Sequence, residues 1–145
     1  MANISKSSKK IKLKIITPTE IKVDEPVDMV ILRCTTGAMG ILPGHEPRSA
    51  ILNYGVMRIV NEGRDRHIAV FGGIAEILND TLTIVTSGAE WPNDINRVRV
   101  ETDIEHAEQR LQEKKDDLEI LSDQLLLRRS LVLLEASSYT VKEEV

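Results

Sequence analysis

Apolar and polar residues alternate along the first part of the chain in short stretches separated by turn residues. Ile11, Leu13 and Ile15 alternate with Lys12 and Lys14, the period-two pattern of a strand with one face in solvent. Similar stretches follow at residues 21–23, 27–34, 55–60, 66–71, 74–78 and 82–86. We interpret Gly72-Gly73 as a tight turn between two of them. Many short strands at this spacing predict an antiparallel sandwich or barrel.

The last fifty residues follow a helical period instead. Val100, Ile104, Ala107 and Leu111 are spaced 4, 3 and 4 residues apart, which places them on one stripe of a helix. A polar stretch at residues 112–117 interrupts the pattern, and apolar residues resume from Leu118 to Leu134. The apolar surface that these residues form is too wide for a single contact along one edge, so we expect it to meet a second helix, the sandwich or a partner chain.

The polar interruption contains neither glycine nor proline, so two arrangements of the helical segment stay open. A turn there makes a helical hairpin, whereas a continuous helix over residues 97–137 makes a rod of about 60 Å. The segment is therefore a candidate bistable element. Its start is also open: it lies near Arg97, or at Asp103 if Thr102 and Glu105 form a capping box.

Composition divides the chain near Pro92. All eight glycines and all five prolines of the 145 residues lie at or before this position, and the preceding part has a net charge of +1 while the part after it has −5. The overall charge of −4 and the 3% of aromatic residues argue against a nucleic-acid partner. No apolar run is long enough to span a bilayer, and a single cysteine indicates a reducing cytoplasm.

The sequence shows no motif of a catalytic or metal site. It has no Walker loop, GxGxxG or GxSxG pattern, and His45, His67 and His106 lack the spacing of zinc ligands. Cys34 lies in an apolar run, which predicts a small buried side chain. The residues alone therefore indicate a non-catalytic binding or mechanical protein, with no catalytic residue and no metal.

Residues 40–47, with the sequence GILPGHEP, resemble the GxLPGHxP signature of the ε subunit of F-type ATP synthases. Residues 69–77 (AVFGGIAEI) resemble the family's VxGGFAEV hairpin, and further similarity covers about residues 11–137. The resemblance implies a β-sandwich of about ten strands at 11–92 and a regulatory arm of two helices at 93–145. The lysines before residue 15 come without an apolar anchor, which predicts a flexible basic N-terminus at residues 1–10.

The resemblance also implies a function for the chain. Members of this family sit in the central stalk, bind the γ subunit, rest on the ring of c subunits and turn with that rotor. Their arm can extend and inhibit ATP hydrolysis by contacting the α/β subunits. The implied location is the cytoplasmic face of the bacterial membrane, without direct insertion into it. Catalysis belongs to other subunits, and the family's fold requires no cofactor.

Site residues follow from the same resemblance. The loop with Thr36, Gly37, Ala38 and Met39 matches the loop that faces the c ring, although many members are acidic there. Backbone or apolar contact is then expected, and an ordinary hairpin turn is the alternative. Leu42 and His45 match the surface facing γ, and fixing its own loop is the alternative role of His45.

Two groups of arm residues complete the set. Arg128 and Arg129 match basic residues that contact an acidic loop of β; the alternatives are a solvated face or pairing with Asp123 and Glu135. The ATP-binding motif I/L-D-x-x-R-A of some members reads INRVRV here, and Leu133 replaces a second arginine after Arg129. The candidate ATP ligands, for which we expect weak binding at most, are Ile95, Asn96, Arg99 and Arg129. An ATP-sensing module is the alternative function, and a stand-alone enzyme is a third.

Overall fold

A computed structural model describes residues 9–113 and 116–140. The elements in these ranges are β1 (Ile11–Ile16), β2 (Ile21–Val27), β3 (Met29–Cys34), β4 (Gly37–Ile41), β5 (Arg48–Asn61), β6 (Arg64–Leu78), β7 (Thr81–Val85), β8 (Ala89–Glu90), a 3-10 turn (Pro92–Asp94), α1 (Arg97–Leu111) and α2 (Asp117–Ser137). The predicted sandwich followed by two helices is confirmed, with eight strands in the described part rather than about ten. Of the N-terminus predicted to be flexible, residues 1–8 lie outside the described ranges.

Two long strands organise the sandwich. The strands follow the order β2-β1-β7-β6-β5-β3-β4, with β8 beside β6. β5 and β6 pair antiparallel along their length, from Arg48 opposite Ile77 to Asn61 opposite Arg64. At the edges of this β5–β6 pair, β6 pairs with β7 and β5 pairs with β3. The sheet thereby folds into two layers around one core. Its largest fully buried side chains are Ile11, Leu13, Ile15, Val27, Val30, Leu32, Ile41, Ile59, Ile68, Leu82 and Ile84.

The interpretation of Gly72-Gly73 as a turn is wrong. Both glycines lie inside β6, which joins two predicted strands into one and lowers the strand count. Before the glycines β6 pairs with β8, and after them it pairs with β7. Gly73 has a φ of +115°, and a Cβ there would lie 2.0 Å from the carbonyl oxygen of Val85. Glycine is thus required by close backbone approach at the change of partner.

The helical segment is a hairpin that begins at Arg97. Asn96 caps α1 by accepting a hydrogen bond from the Arg99 amide at 3.2 Å. The Thr102 hydroxyl donates to the carbonyl of Val98 inside the helix, so the proposed start at Asp103 is not adopted. Asp116 caps α2 in the same way, through the Glu119 amide at 2.9 Å. The antiparallel helices pack against each other, with Val100 and Ala107 of the predicted stripe buried.

Replacing Gly73 by alanine should destabilise the sandwich. The added Cβ collides with the Val85 carbonyl and requires a left-handed backbone, so we expect the free energy of unfolding to fall by more than about 2 kcal/mol. Urea unfolding measures the change. Gly40→Ala is the matched control, because nothing lies within 4 Å of a Cβ there and its backbone is ordinary. Equal midpoints for the two variants would contradict the assignment.

Candidate functional site

The outer face of β5 and β6 carries an apolar patch that the sequence pattern did not reveal. Tyr54 lies opposite Phe71, and Val56 lies opposite Ala69, in directly paired positions. We call these four residues the arm-docking surface. The sequence did contain one indication of this patch. Residues 68–71 are four consecutive apolar residues, which is typical of a strand covered on both faces.

The C-terminal half of α2 packs on the arm-docking surface. Val132 and Ala136 form a second apolar cluster with Val56, Ala69 and Phe71, and Ala136 is completely buried. These positions are four residues apart, so they share one face of the helix. Of the alternatives left open for this apolar surface, α2 thus meets two, a second helix and the sandwich. Further along the same face, Leu118, Leu121 and Leu125 are exposed.

The two arginines predicted to contact β also lie on the arm-docking surface in this folded state. The guanidinium of Arg129 is 4.3 Å from the centroid of the Phe71 ring, and that of Arg128 is 5.8 Å from the Tyr54 ring. Exposed cation–π contacts of this kind contribute about 0.5–1 kcal/mol each. Of the carboxylates considered as alternative partners, Asp123 lies 3.5 Å from Arg110 and Glu135 lies 3.2 Å from Arg33.

The end of the arm is fixed at His67. The ring of Tyr139, just after α2, stacks on the imidazole of His67 with 3.7 Å between centroids and 8° between planes. Burial lowers the pKa of His67, Arg58 lowers it further, and the carboxylates of Asp65 and Glu135 oppose the shift. The neutral imidazole is therefore favoured when the arm is docked.

The four candidate ATP-binding residues meet in one open groove at the start of α1. Ile95, Asn96, Arg99 and Arg129 line this groove of about 350 Å³. Three carboxylates, Glu90, Asp94 and Asp103, line it as well, and the Asn96 side chain already caps α1. The groove thus brings together two cations suited to phosphate and three anions that repel it.

The predicted c-ring loop is only a tight turn at Thr35 and Thr36, because Gly37, Ala38 and Met39 already belong to β4 and pair with β3. The predicted γ-facing residues follow the other end of β4. The tip with Thr36 and Gly37 is exposed and joined to β5 by a hydrogen bond from the Thr35 amide to the Ile51 carbonyl. At the other end, Leu42 is 55% exposed. His45 there has its Nδ1 2.7 Å from the Glu46 carbonyl, and its amide donates to Leu42. His45 is thus engaged within its own loop.

An exposed apolar patch lies on the outer face of the other sheet layer. Ile51 pairs with Ile74, which pairs in turn with Val85, and the three side chains are 63%, 58% and 54% exposed. We call this set the outer apolar row. It crosses three adjacent strands, so it is one continuous patch rather than scattered residues. Large contiguous apolar patches on a protein surface mark interaction sites.

Other chemistry is scarce in the described part of the chain. No group of three or more His, Cys, Asp or Glu side chains there could hold a metal ion. No described helix has both the length and the apolar character needed to cross a membrane. Cys34 is buried as predicted, and burial raises the pKa of its thiol.

Comparison with known sequences agrees with the two-part architecture. The family profile of the ATP synthase Delta/Epsilon chain β-sandwich domain matches residues 10–92. The ATP synthase epsilon chain of Syntrophobacter fumaroxidans is 37% identical over 133 residues, which cover 92% of this chain and 99% of that protein. The chain belongs to the ATP synthase epsilon chain family. The Bacillus licheniformis epsilon chain is 35% identical, with 89% of this chain and 98% of that protein covered.

Solved structures agree on the epsilon chain fold. A chain in the cryo-EM structure of the Euglena gracilis mitochondrial ATP synthase (OSCP/F1/c-ring) superposes with a TM-score of 0.77 at 24% identity, covering 89% of this chain and 81% of that one. A chain in the central stalk and c-ring structure from Tetrahymena thermophila gives 0.61 at 12% identity, covering 89% and 97%. At these identities the likeness concerns the fold.

Proposed function

We propose that this epsilon-family chain is a non-catalytic rotor subunit in the central stalk of an F-type ATP synthase. In this proposal residues 11–92 bind γ and the c ring, and residues 93–145 form the regulatory arm. The subunit lies peripherally on the cytoplasmic face of the bacterial membrane and turns with γ during ATP synthesis. It makes and breaks no bonds, so catalysis takes place on other subunits of the complex.

The outer apolar row carries the proposal of γ binding. Ile51, Ile74 and Val85 expose branched side chains on a rigid sheet, and residues 9–113 and 116–140 leave them uncovered. Burial of such a patch against γ would stabilise the pair through the hydrophobic effect. Leu42 and His45 lie beyond the other end of this layer, where the Gly44 amide donates to Asp80 at 2.7 Å. They extend the proposed γ contact along the sandwich.

The β3–β4 tip is the proposed c-ring contact. Thr36, Gly37, Ala38 and Met39 carry no charge, and the first three are exposed. Contact through backbone groups and the Ala38 side chain then replaces the acidic contacts of many relatives, whereas the Met39 side chain packs against the sandwich core. The tip is held to Ile51 of the outer apolar row, so one end of the sandwich presents both surfaces.

The docked arm suggests how hydrolysis would be regulated. Arg128 and Arg129 are held over Tyr54 and Phe71 while the arm is folded. Release of the arm frees both guanidinium groups for carboxylates on the catalytic α/β subunits, where each can make two charge-assisted hydrogen bonds. Docking on the sandwich and inhibition of hydrolysis thus compete for the same two side chains.

An ATP-sensing module is the second candidate function, and the groove at Arg99 and Arg129 is the observation in its favour. A nucleotide bound there would bridge α1 and α2 and hold the arm closed. The three carboxylates of the groove and Leu133 weaken this candidate, because phosphate binding needs a surplus of positive charge.

Ile74→Glu should abolish the pairing with γ. A carboxylate buried in an apolar interface without a partner weakens binding by more than about tenfold. Co-purification of γ with the full chain measures the effect, with circular dichroism to check folding. Val98→Glu on α1 is the control, since Val98 is 74% exposed but lies away from the outer apolar row. Wild-type binding by Ile74→Glu would refute this interface.

Arg128→Ala/Arg129→Ala should raise ATP hydrolysis by the assembled enzyme severalfold. The charge-assisted hydrogen bonds that the double variant removes from the inhibited state are stronger than the exposed cation–π contacts that it removes from the docked state. Tyr54→Leu is the matched comparison. It weakens docking but keeps both arginines, so it should lower hydrolysis. Unchanged hydrolysis in the double variant would remove the arginines from the inhibitory contact.

Calorimetric titration of the full chain with ATP should show no saturable binding below about 1 mM. Asn96→Asp/Val100→Ala/Leu133→Arg restores the residues of the ATP-binding motif, and this variant should bind more tightly. Wild-type binding well below about 1 mM would favour the sensing module.

A further inference from the structure

The far end of the arm is held by contacts that differ in kind from the rest of its interface. Val132 and Ala136 pack through apolar surface, whereas the last contacts are the Glu135–Arg33 ion pair and the Tyr139–His67 stack. His67 lies opposite Arg58 on β5, two pairs beyond Val56 and Ala69. Among these end contacts, the imidazole has a reference pKa near 6.5 and so changes charge close to physiological pH.

We propose that His67 and Tyr139 form a pH-sensitive latch, in which protonation of the imidazole releases the end of the arm from the sandwich. The neutral ring of His67 lies flat against the phenol ring of Tyr139 at 3.7 Å, which removes water from one of its faces. A protonated imidazole needs that water more than a neutral one does, so protonation weakens docking.

The charged groups around His67 act in both directions. Arg58, opposite on β5, repels an imidazolium, although it is itself paired with Asp65 at 2.7 Å. Asp65 on β6 and Glu135 on α2 attract an imidazolium, and the face of the Tyr139 ring does so too. Burial is the largest of the effects on the His67 pKa and lowers it. The carboxylates of Asp65 and Glu135 oppose this lowering of the His67 pKa without reversing its direction.

The direction of the pH dependence follows from this lowered pKa. A released arm exposes His67 to water, and its pKa returns toward about 6.5. The released state therefore binds a proton more readily than the docked state. The docked arm is most stable above about pH 6.5. Its stability decreases as the pH falls from there through the lowered pKa of His67 in the docked state.

Hydrogen exchange in the isolated full-length chain tests the latch. Exchange rates of the α2 amides are measured by NMR from pH 8 to pH 5 and divided by the rates of unstructured peptides at each pH. We expect the opening of the C-terminal half of α2 to increase as the pH falls. The increase is up to about tenfold for each unit by which the docked and released pKa values of His67 differ.

Two variants test whether His67 causes the pH dependence of this opening. His67→Phe keeps an aromatic ring for Tyr139 but cannot be protonated, so its opening should be independent of pH. His106→Gln removes an exposed histidine on α1 and should retain the wild-type pH dependence. A pH-independent wild type, or a His67→Phe chain with the wild-type slope, would overturn the latch.

Titration of the His67 ring protons gives a second, independent readout. In Tyr139→Ala the stack is lost, so the pKa of His67 should rise toward that of an exposed histidine. An unchanged pKa would also overturn the proposal. Only the consequence for ATP hydrolysis rests on the proposed function. Since the latch is measured without γ or the catalytic subunits, its failure and that of the rotor assignment are distinguishable.

Discussion

The pairing of β5 with β6 is the constraint on which the other features depend. Their inner faces contribute to the sandwich core, and their outer face supplies Tyr54, Val56, Ala69 and Phe71 for the arm. The same ribbon carries Ile51 and Ile74 of the outer apolar row. The same two strands therefore carry both surfaces on which the proposed rotor and regulatory functions depend.

The docked arm and the outer apolar row differ in the strength of the contacts that they can make. The docked arm has a small apolar centre, formed on its side by Val132 and Ala136, and its margin consists of cation–π contacts, one ion pair and one ring stack. Exposed contacts of these kinds contribute little individually. The arm can thus be held closed and still be released by modest competition, whereas the continuous outer apolar row suits a lasting contact.

The sequence predicted the fold class because alternation and helical spacing are local properties. Gly72-Gly73 was misread because a glycine pair has the same appearance in a turn and at a close backbone approach, and the atom that decides is the carbonyl of Val85, twelve residues later. That Ile95, Asn96, Arg99 and Arg129 meet in one groove agrees with their selection from the family motif near Asn96. The partners of Arg128 and Arg129 could not be predicted, since pattern does not specify which distant ring a guanidinium covers.

The ion pair between Arg110 and Asp123 sets a condition on extension of the arm. The side chain of Asp123 is only 11% exposed and lies 3.5 Å from Arg110 across the hairpin. In a continuous helix, these two positions are thirteen residues apart and would be separated by about 20 Å along the axis, too far for contact. Straightening therefore separates a shielded carboxylate from a nearby cation. Water solvates both side chains once they are apart, so loss of this pair adds only a modest cost to straightening of the hairpin.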